Sequence, residues 1–264
     1  MGAGNMTLLQ VENLGKSFGG VRAVEGVSFS IQRGAVHSII GPNGAGKTTL
    51  LNLMTGLNVP DTGRIALDGA DVTGAPPYRM AAAGLGRTFQ NLQVFFNMSA
   101  LENVMVGRHL RERDALWATL LRLPSLVRSE AATRERALQL LAHVGLAESA
   151  DASADAMPYG ALKRLEIARA LAAEPKLLLL DEPAAGLNAT EAQAIDALIK
   201  RLAGEGTTVI LVEHNMKLVM GVSDHLLVLD QGRVLAEGTP QQIQANPAVI
   251  EAYLGAVDAE AAHA

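Results

Sequence analysis

Gly41-Pro42-Asn43-Gly44-Ala45-Gly46-Lys47-Thr48-Thr49 is the run whose reading decides the fold. It fits the pattern G-x-x-x-x-G-K-[ST] through Gly41, Gly46, Lys47 and Thr48. The pattern carries meaning only between a strand and a helix. Ala35 to Ile40 before it is an apolar run that reads as a buried strand, and Thr49 to Met54 after it reads as the start of a helix. Gly44 and Gly46 let successive backbone N–H groups turn inward as an anion-binding nest. The helix N-terminus adds its partial positive charge. The expectation is a loop, Gly41 to Thr49, that cradles the phosphates of a nucleoside triphosphate. Lys47 would reach the β- and γ-phosphates, and the Thr48 hydroxyl would ligate Mg²⁺. The bland alternative is a glycine-rich turn that binds nothing, and it does not account for strand, Lys-Thr and helix arriving together.

Outward from the loop, composition narrows the classes. The 264 residues allow one large domain or two small ones. Hydrophobic residues make up 49% but aromatics only 3%, so the core has to be built of Leu, Val, Ile and Ala. A net charge of −5 argues against nucleic acid as a partner, since such binders show a basic face. Cysteine is absent, which excludes disulfides, thiolate metal sites and cysteine nucleophiles. No apolar run approaches the roughly 18 residues of a transmembrane helix. The opening MGAGNMTLLQ has neither a basic stretch nor an apolar core of the signal-peptide kind. A cytosolic protein, or one peripheral on the cytoplasmic face of a membrane, is expected.

Residues 7 to 40 read as strands with short turns: Leu8 to Val11, Val27 to Ile31 and Ala35 to Ile40, punctuated by Gly19-Gly20 and Arg33-Gly34. A further short strand, Arg64 to Leu67, lies between Asp61-Thr62-Gly63 and Asp68-Gly69. These strands suggest an antiparallel β-subdomain beside the phosphate-loop core. From 91 to 157 leucines and charges dominate, and Leu138, Leu141 and Ala142 mark one helix face. This stretch reads as a helical subdomain inserted into the core. Its charged patches, Arg108 to Arg113 and Arg134 to Arg136, are solvated faces, and Trp117 is a packing residue. Alternation then returns. Leu162 to Ala173 and Glu191 to Leu202 are helical, and Leu177 to Leu180, Thr208 to Val212 and Leu226 to Leu229 are strands. The fold class expected is α/β with a mainly parallel sheet. The Ala-rich acidic end, 256 to 264, is expected to be a disordered tail.

Four more positions carry chemistry. LLLLDEP, Leu177 to Pro183, is a buried strand ending in two carboxylates. Asp181 suits the Mg²⁺ shell. Glu182 suits the orientation and polarisation of an attacking water. Two turn acids capping a strand are the plainer reading. His214 follows the strand VILVE, and a strand's C-terminal end faces the ligand crevice of such sheets; it could bond a γ-phosphate. His37 and His225 read as ordinary surface or core histidines. Gln90, in GRTFQ, can reach Mg²⁺ or water. PYGALKRLEIARAL, Pro158 to Leu171, puts Gly160 at the start of a helix with no strand before it, a second potential anion site.

Together and in this order, the phosphate loop, TFQ, YG before KRLEIARAL, LLLLDEP and EH resemble an ATP-binding cassette (ABC) ATPase over nearly the whole chain. DEPAAGLN (Asp181 to Asn188), EHNMKLVMGVSD (Glu213 to Asp224), GRTFQNLQVF (Gly86 to Phe95) and AYLG (Ala252 to Gly255) are similar to the ATPase subunits of branched-chain amino-acid importers. The resemblance implies a cassette over 7–255, with core and β-subdomain in 7–90 and 158–240 and the helical subdomain in 91–157. It implies ATP and Mg²⁺ as cofactors. It implies a head-to-tail dimer with a second ABC ATPase subunit, in which Gly160 serves the ATP held by the partner. Two membrane permease subunits, and indirectly a solute-binding protein, complete the expected assembly. Phe18 matches the aromatic that stacks on adenine, with burial in the β-subdomain as the alternative. Phe95 and Phe96 match a groove for a coupling helix of the membrane subunit, with burial in the core again the alternative.

Two departures from the family pattern stand out. Its signature is commonly L-S-G-G-Q, and here it is Met157-Pro158-Tyr159-Gly160-Ala161. Pro158 has neither hydroxyl nor backbone N–H, so it cannot donate to a phosphate. Asn188 stands where most cassettes carry Asp; it can hydrogen-bond across the dimer without a charge. A soluble cassette of the cluster-assembly type, with no permease, stays open beside the importer reading.

Overall fold

The computed structural model describes residues 7–109 and 124–253. Trp117, the charged run beyond His109 and the tail from 256 on lie outside them. The strands are β1 (Thr7–Phe18), β2 (Val21–Gln32), β3 (Val36–Ile40), β4 (Thr62–Leu67), β5 (Ala70–Asp71), β6 (Leu85–Arg87), β7 (Leu177–Asp181), β8 (Thr208–Val212), β9 (His225–Asp230) and β10 (Arg233–Gly238). The helices are α1 (Lys47–Met54), α2 (Pro77–Ala83), α3 (Ala100–Gly107), α4 (Pro124–His143), α5 (Tyr159–Ala172), α6 (Ala189–Gly204), α7 (Met216–Val222) and α8 (Pro240–Gln244). They fall into two compact units, one made of the chain up to Leu85 and from Ile199 on, the other of Gly86–Leu198.

The first unit holds an antiparallel sheet of order β2-β1-β4-β5. Leu9 and Val11 on β1 and Val27, Phe29 and Ile31 on β2 are buried while their neighbours are largely exposed, the alternation of a sheet with one wet face. Both strands run longer than the apolar alternation predicts. Register shifts along β1 and β2 keep them paired where the alternation breaks. In the second sheet of this unit, of order β10-β9-β3-β8, β3 is parallel to both neighbours and β10 closes the edge antiparallel. β3 and β8 are buried at every position, as strands covered on both faces must be. This is the expected mainly parallel core, with the phosphate loop leaving the end of β3.

The second unit packs α3, α4 and α5 against one another and carries the wholly buried β7 beside β6. A reciprocal cap starts α3: the Ser99 hydroxyl accepts the Glu102 N–H while the Glu102 carboxylate accepts the Ser99 N–H. The apolar face expected of α4 is out of phase. Leu138 and Ala142 are exposed, and Thr133, Ala137, Leu141 and Val144 point inward. Ala137 is fully buried where the larger Leu138 is not, a choice that hydrophobicity alone does not register. Helices α2 and α8 were not anticipated, although both begin with Pro in the first turn and Thr239 caps α8 reciprocally with Gln242.

Candidate functional site

In the first unit the loop is shaped by main chain. Gly46 is the N-cap of α1 at φ 96°, and a Cβ there would overlap the Ala23 carbonyl oxygen. A Cβ on Gly41 would overlap the carbonyl of Leu229. Only glycine fits either place. The turn after β9 closes over the loop, with the Gly232 N–H donating to the Ala45 carbonyl at 3.1 Å. Lys47 is buried, and its ammonium donates to the carbonyls of Gly41 at 2.7 Å and Pro42 at 3.0 Å. Asn43, Gly44 and Thr48 are exposed, Ala45 is buried, and Pro42 and Thr49 are half-buried. The main chain of Gly41 is also hydrogen-bonded to the hydroxyl of Tyr253, whose acidity burial lowers. Tyr253 belongs to the AYLG segment. Its place beside the loop is a contact between residues 212 positions apart (253 − 41) that the sequence does not announce.

His214 is exposed in the turn between β8 and α7, and its backbone N–H donates to the Glu213 carboxylate at 3.1 Å. Phe18 is 47% exposed at the end of β1, with the Lys16 ammonium 5.5 Å from its ring centre. A surface aromatic is free to stack, so burial in the β-subdomain does not explain it. His37 is a core residue. Its Nε2 accepts the Gln32 N–H at 3.2 Å, and burial, then the stacked ring of His225, hold its pKa down at about 4.

In the second unit β7 delivers Asp181 and Glu182. The Asp181 N–H donates to the Thr88 hydroxyl at 3.3 Å, and its carboxylate accepts from Arg87 at 3.0 Å, both side chains being almost fully buried. Glu182 has a left-handed backbone, φ 49°, uncommon outside glycine. The Gln90 amide nitrogen donates to its carboxylate at 3.2 Å. That leaves the amide oxygen of Gln90 for a cation. Three predicted residues thus meet in this unit. Arg87, the partner of Asp181, went unrecognised because the arginine inside GRTFQ carries no motif of its own.

The start of α5 confirms one departure and refines another. Pro158 is its N-cap, with no side-chain cap bond. Gly160 is the second helical residue, and a Cβ there would strike the Glu191 carboxylate. The Asn188 side-chain oxygen accepts the Glu191 N–H at 3.0 Å, and Glu191 accepts the Asn188 N–H at 3.1 Å, a cap for α6. Phe95 and Phe96 are 41% and 47% exposed, which removes the core reading for both.

Comparison with known proteins agrees with this geometry. A family described as ABC transporter matches residues 24–185, and one described as branched-chain amino acid ATP-binding cassette transporter matches 233–259. The chain is 47% identical to the high-affinity branched-chain amino acid transport ATP-binding protein BraF of Pseudomonas aeruginosa, over 94% of this chain and 98% of that one. It is 45% identical to LivG of Escherichia coli K12, described in the same words, with the same coverage. Among solved structures it is similar to a nucleotide-free ATP-binding cassette from an ABC transporter, with TM-score 0.81 and 34% identity over 94% of this chain and 99% of that one. An ATP-binding cassette of an ABC transporter in its ADP conformation matches with TM-score 0.82 and 33% identity, over 95% and 100%.

Proposed function

The chain belongs to the ABC transporter ATP-binding family, and from that premise we propose that it is the ATP-hydrolysing subunit of an importer for branched-chain or related amino acids. The observation that carries the hydrolytic role is the Gln90 amide on the Glu182 carboxylate at the end of a buried strand. A carboxylate so held, on a left-handed backbone, is a positioned acceptor for the proton of an attacking water. Phosphoryl transfer needs little covalent help from protein, so the remaining residues position and neutralise. The loop amides from Gly41 to Thr49 and the Lys47 ammonium hold the phosphates. His214 bonds the γ-phosphate, and Phe18 stacks on the adenine. Gly160 offers its N–H to the ATP of a second ATPase subunit. Thr48, Asp181 and Gln90 all offer oxygen, the donor that Mg²⁺ takes, and the ion neutralises phosphate charge when bound.

The assembly proposed around it has a second ABC ATPase subunit and two permease subunits, fed by a solute-binding protein, with the exposed Phe95 and Phe96 in the docking groove. Among the described residues no helix is long and apolar enough to cross a membrane. A peripheral place on the cytoplasmic face is proposed accordingly. The names of the relatives favour this reading over a soluble cluster-assembly cassette.

The test is reconstitution of the complex in liposomes with its copurifying membrane subunits. Leucine, isoleucine or valine should stimulate ATP turnover and be taken up. Glu182→Gln should keep ATP binding and lose turnover by about 10²- to 10⁴-fold. Turnover unchanged in that variant removes Glu182 from the base role, and indifference to every apolar amino acid removes the substrate class.

A further inference from the structure

Gln90 lies in a stretch without regular structure, 88 to 98, so its backbone has no strand ladder to hold it. Main-chain N–H groups at such a place need other partners. Two of them find the same atom. Oε1 of Glu166, on α5, accepts the N–H of Phe89 at 3.3 Å and the N–H of Gln93 at 3.3 Å. The two amides bracket Gln90. Glu166 is only 3% exposed, a costly place for a carboxylate that does nothing. Lys163 and Arg169, one turn to either side on the same helix, offset its charge, although burial still pushes its pKa up. The far end of the stretch is held in the same manner. Buried Asn103 accepts the Phe95 N–H at 2.8 Å and returns an N–H to the Phe95 carbonyl at 3.0 Å, while the Arg169 guanidinium lies over the Phe95 ring at 5.4 Å.

We propose that Glu166 is a positioning residue for Gln90. One carboxylate oxygen clamps the backbone on both sides of that glutamine and thereby sets its amide on Glu182. The consequence is a mechanical link. The helix that carries Glu166 is the one whose first turn holds Pro158 and Gly160, the segment offered to a partner's ATP. Glu166, with Arg169 over the Phe95 ring, thus joins α5 to the stretch that sets the contact of Gln90 with Glu182. The inference rests on the hydrolytic reading of Gln90 and Glu182.

The test measures ATP turnover and ATP KM of the reconstituted complex for Glu166→Ala, Glu166→Gln, Glu166→Asp, Gln90→Ala and the double variant of Gln90→Ala with Glu166→Ala. A lost positioning contact should lower kcat by about tenfold with KM little changed. Glu166→Ala should show that split. Glu166→Gln, whose amide oxygen can accept both N–H groups, should recover most of the loss. Glu166→Asp keeps the charge but is one methylene too short for both amides, so it should resemble the alanine variant. Once Gln90→Ala is present, Glu166→Ala should cost less than about twofold more, because coupled residues are not additive. The aspartate variant matching wild type while the glutamine variant fails would show that charge matters and the clamp does not, and would overturn the proposal. So would a full multiplicative loss in the double variant. A wild-type kcat in Gln90→Ala would instead sink the hydrolytic reading beneath it.

Discussion

Two helices in this chain begin at a glycine-bearing turn, and they are built in opposite ways. At α1 the cap is Gly46, left-handed and packed against the Ala23 carbonyl, with Gly41 against Leu229 and Gly232 bonded to Ala45. Main chain surrounds main chain, and the loop takes its shape from its own backbone contacts. At α5 the cap is Pro158, which has no N–H or hydroxyl to donate; Tyr159 is 44% exposed, and the glycine rests on a side chain, Glu191. The first turn is complete within its own unit. The second buries Gly160 against the Glu191 side chain, under an exposed Pro158 and Tyr159. Rigidity spares a cradle reorganisation on binding, whereas a cap supplied in trans, as proposed for Gly160, is assembled only on association.

The contrast can be broken most forcefully at Lys47. Lys47→Ala removes a cation and two bonds to the loop's own carbonyls, so turnover should fall by roughly 10³-fold and ATP binding with it. Tight binding of a fluorescent ATP analogue by that variant would contradict a preformed cradle. A smaller effect separates the two regions by pH. His37 sits on β3, the strand that delivers the loop, and burial followed by the neighbouring His225 lowers its pKa to about 4. Asp224 acts in the opposite direction without reversing this. The folded protein thus binds this proton less readily than the unfolded chain. The stabilisation is whole above pH 6.5, is lost as pH falls and is gone near pH 4. It amounts to about 3 kcal/mol. Urea midpoints measured from pH 7 to 4 should fall less steeply for His37→Gln than for wild type; parallel curves would exclude His37 as the titrating group. The smallest effect is expected at Pro158. Pro158→Ser supplies the missing hydroxyl and should raise turnover of the complex about threefold, with about 1 kcal/mol of added stability from the new cap. An unchanged rate would mean that the turn of α5 is already complete, and the contrast between the two helices would disappear.

Much of this was legible residue by residue. The loop, its strand and its helix follow from local pattern, as do β7 and its acid pair, because buried runs, glycines and caps act over a few positions. Thr208–Val212 was read to the residue. The face of α4 was misjudged because leucines outnumber the places that bury them, and Leu138 stays exposed. The unrecognised contacts share a cause. Arg87 with Asp181, Glu166 with Phe89 and Gln93, and Tyr253 with Gly41 join residues far apart in the chain, and none of them breaks a composition rule. The Asn188 oxygen caps α6 through the nearby Glu191 N–H, a local bond that was not anticipated.

By itself the sequence determined that the chain carries a phosphate loop, a strand ending in Asp181-Glu182 and an altered signature in which Pro158 has no hydroxyl. These are matters of which atoms are present and which neighbours in the chain they have. Only tertiary structure decided that Glu182 would be left-handed, that Gln90 would spend its amide nitrogen on it and that one buried carboxylate on α5 would hold the backbone around Gln90. A hydrogen bond is worth little until its partners are brought together and dried, and chain folding alone chooses which distant groups meet.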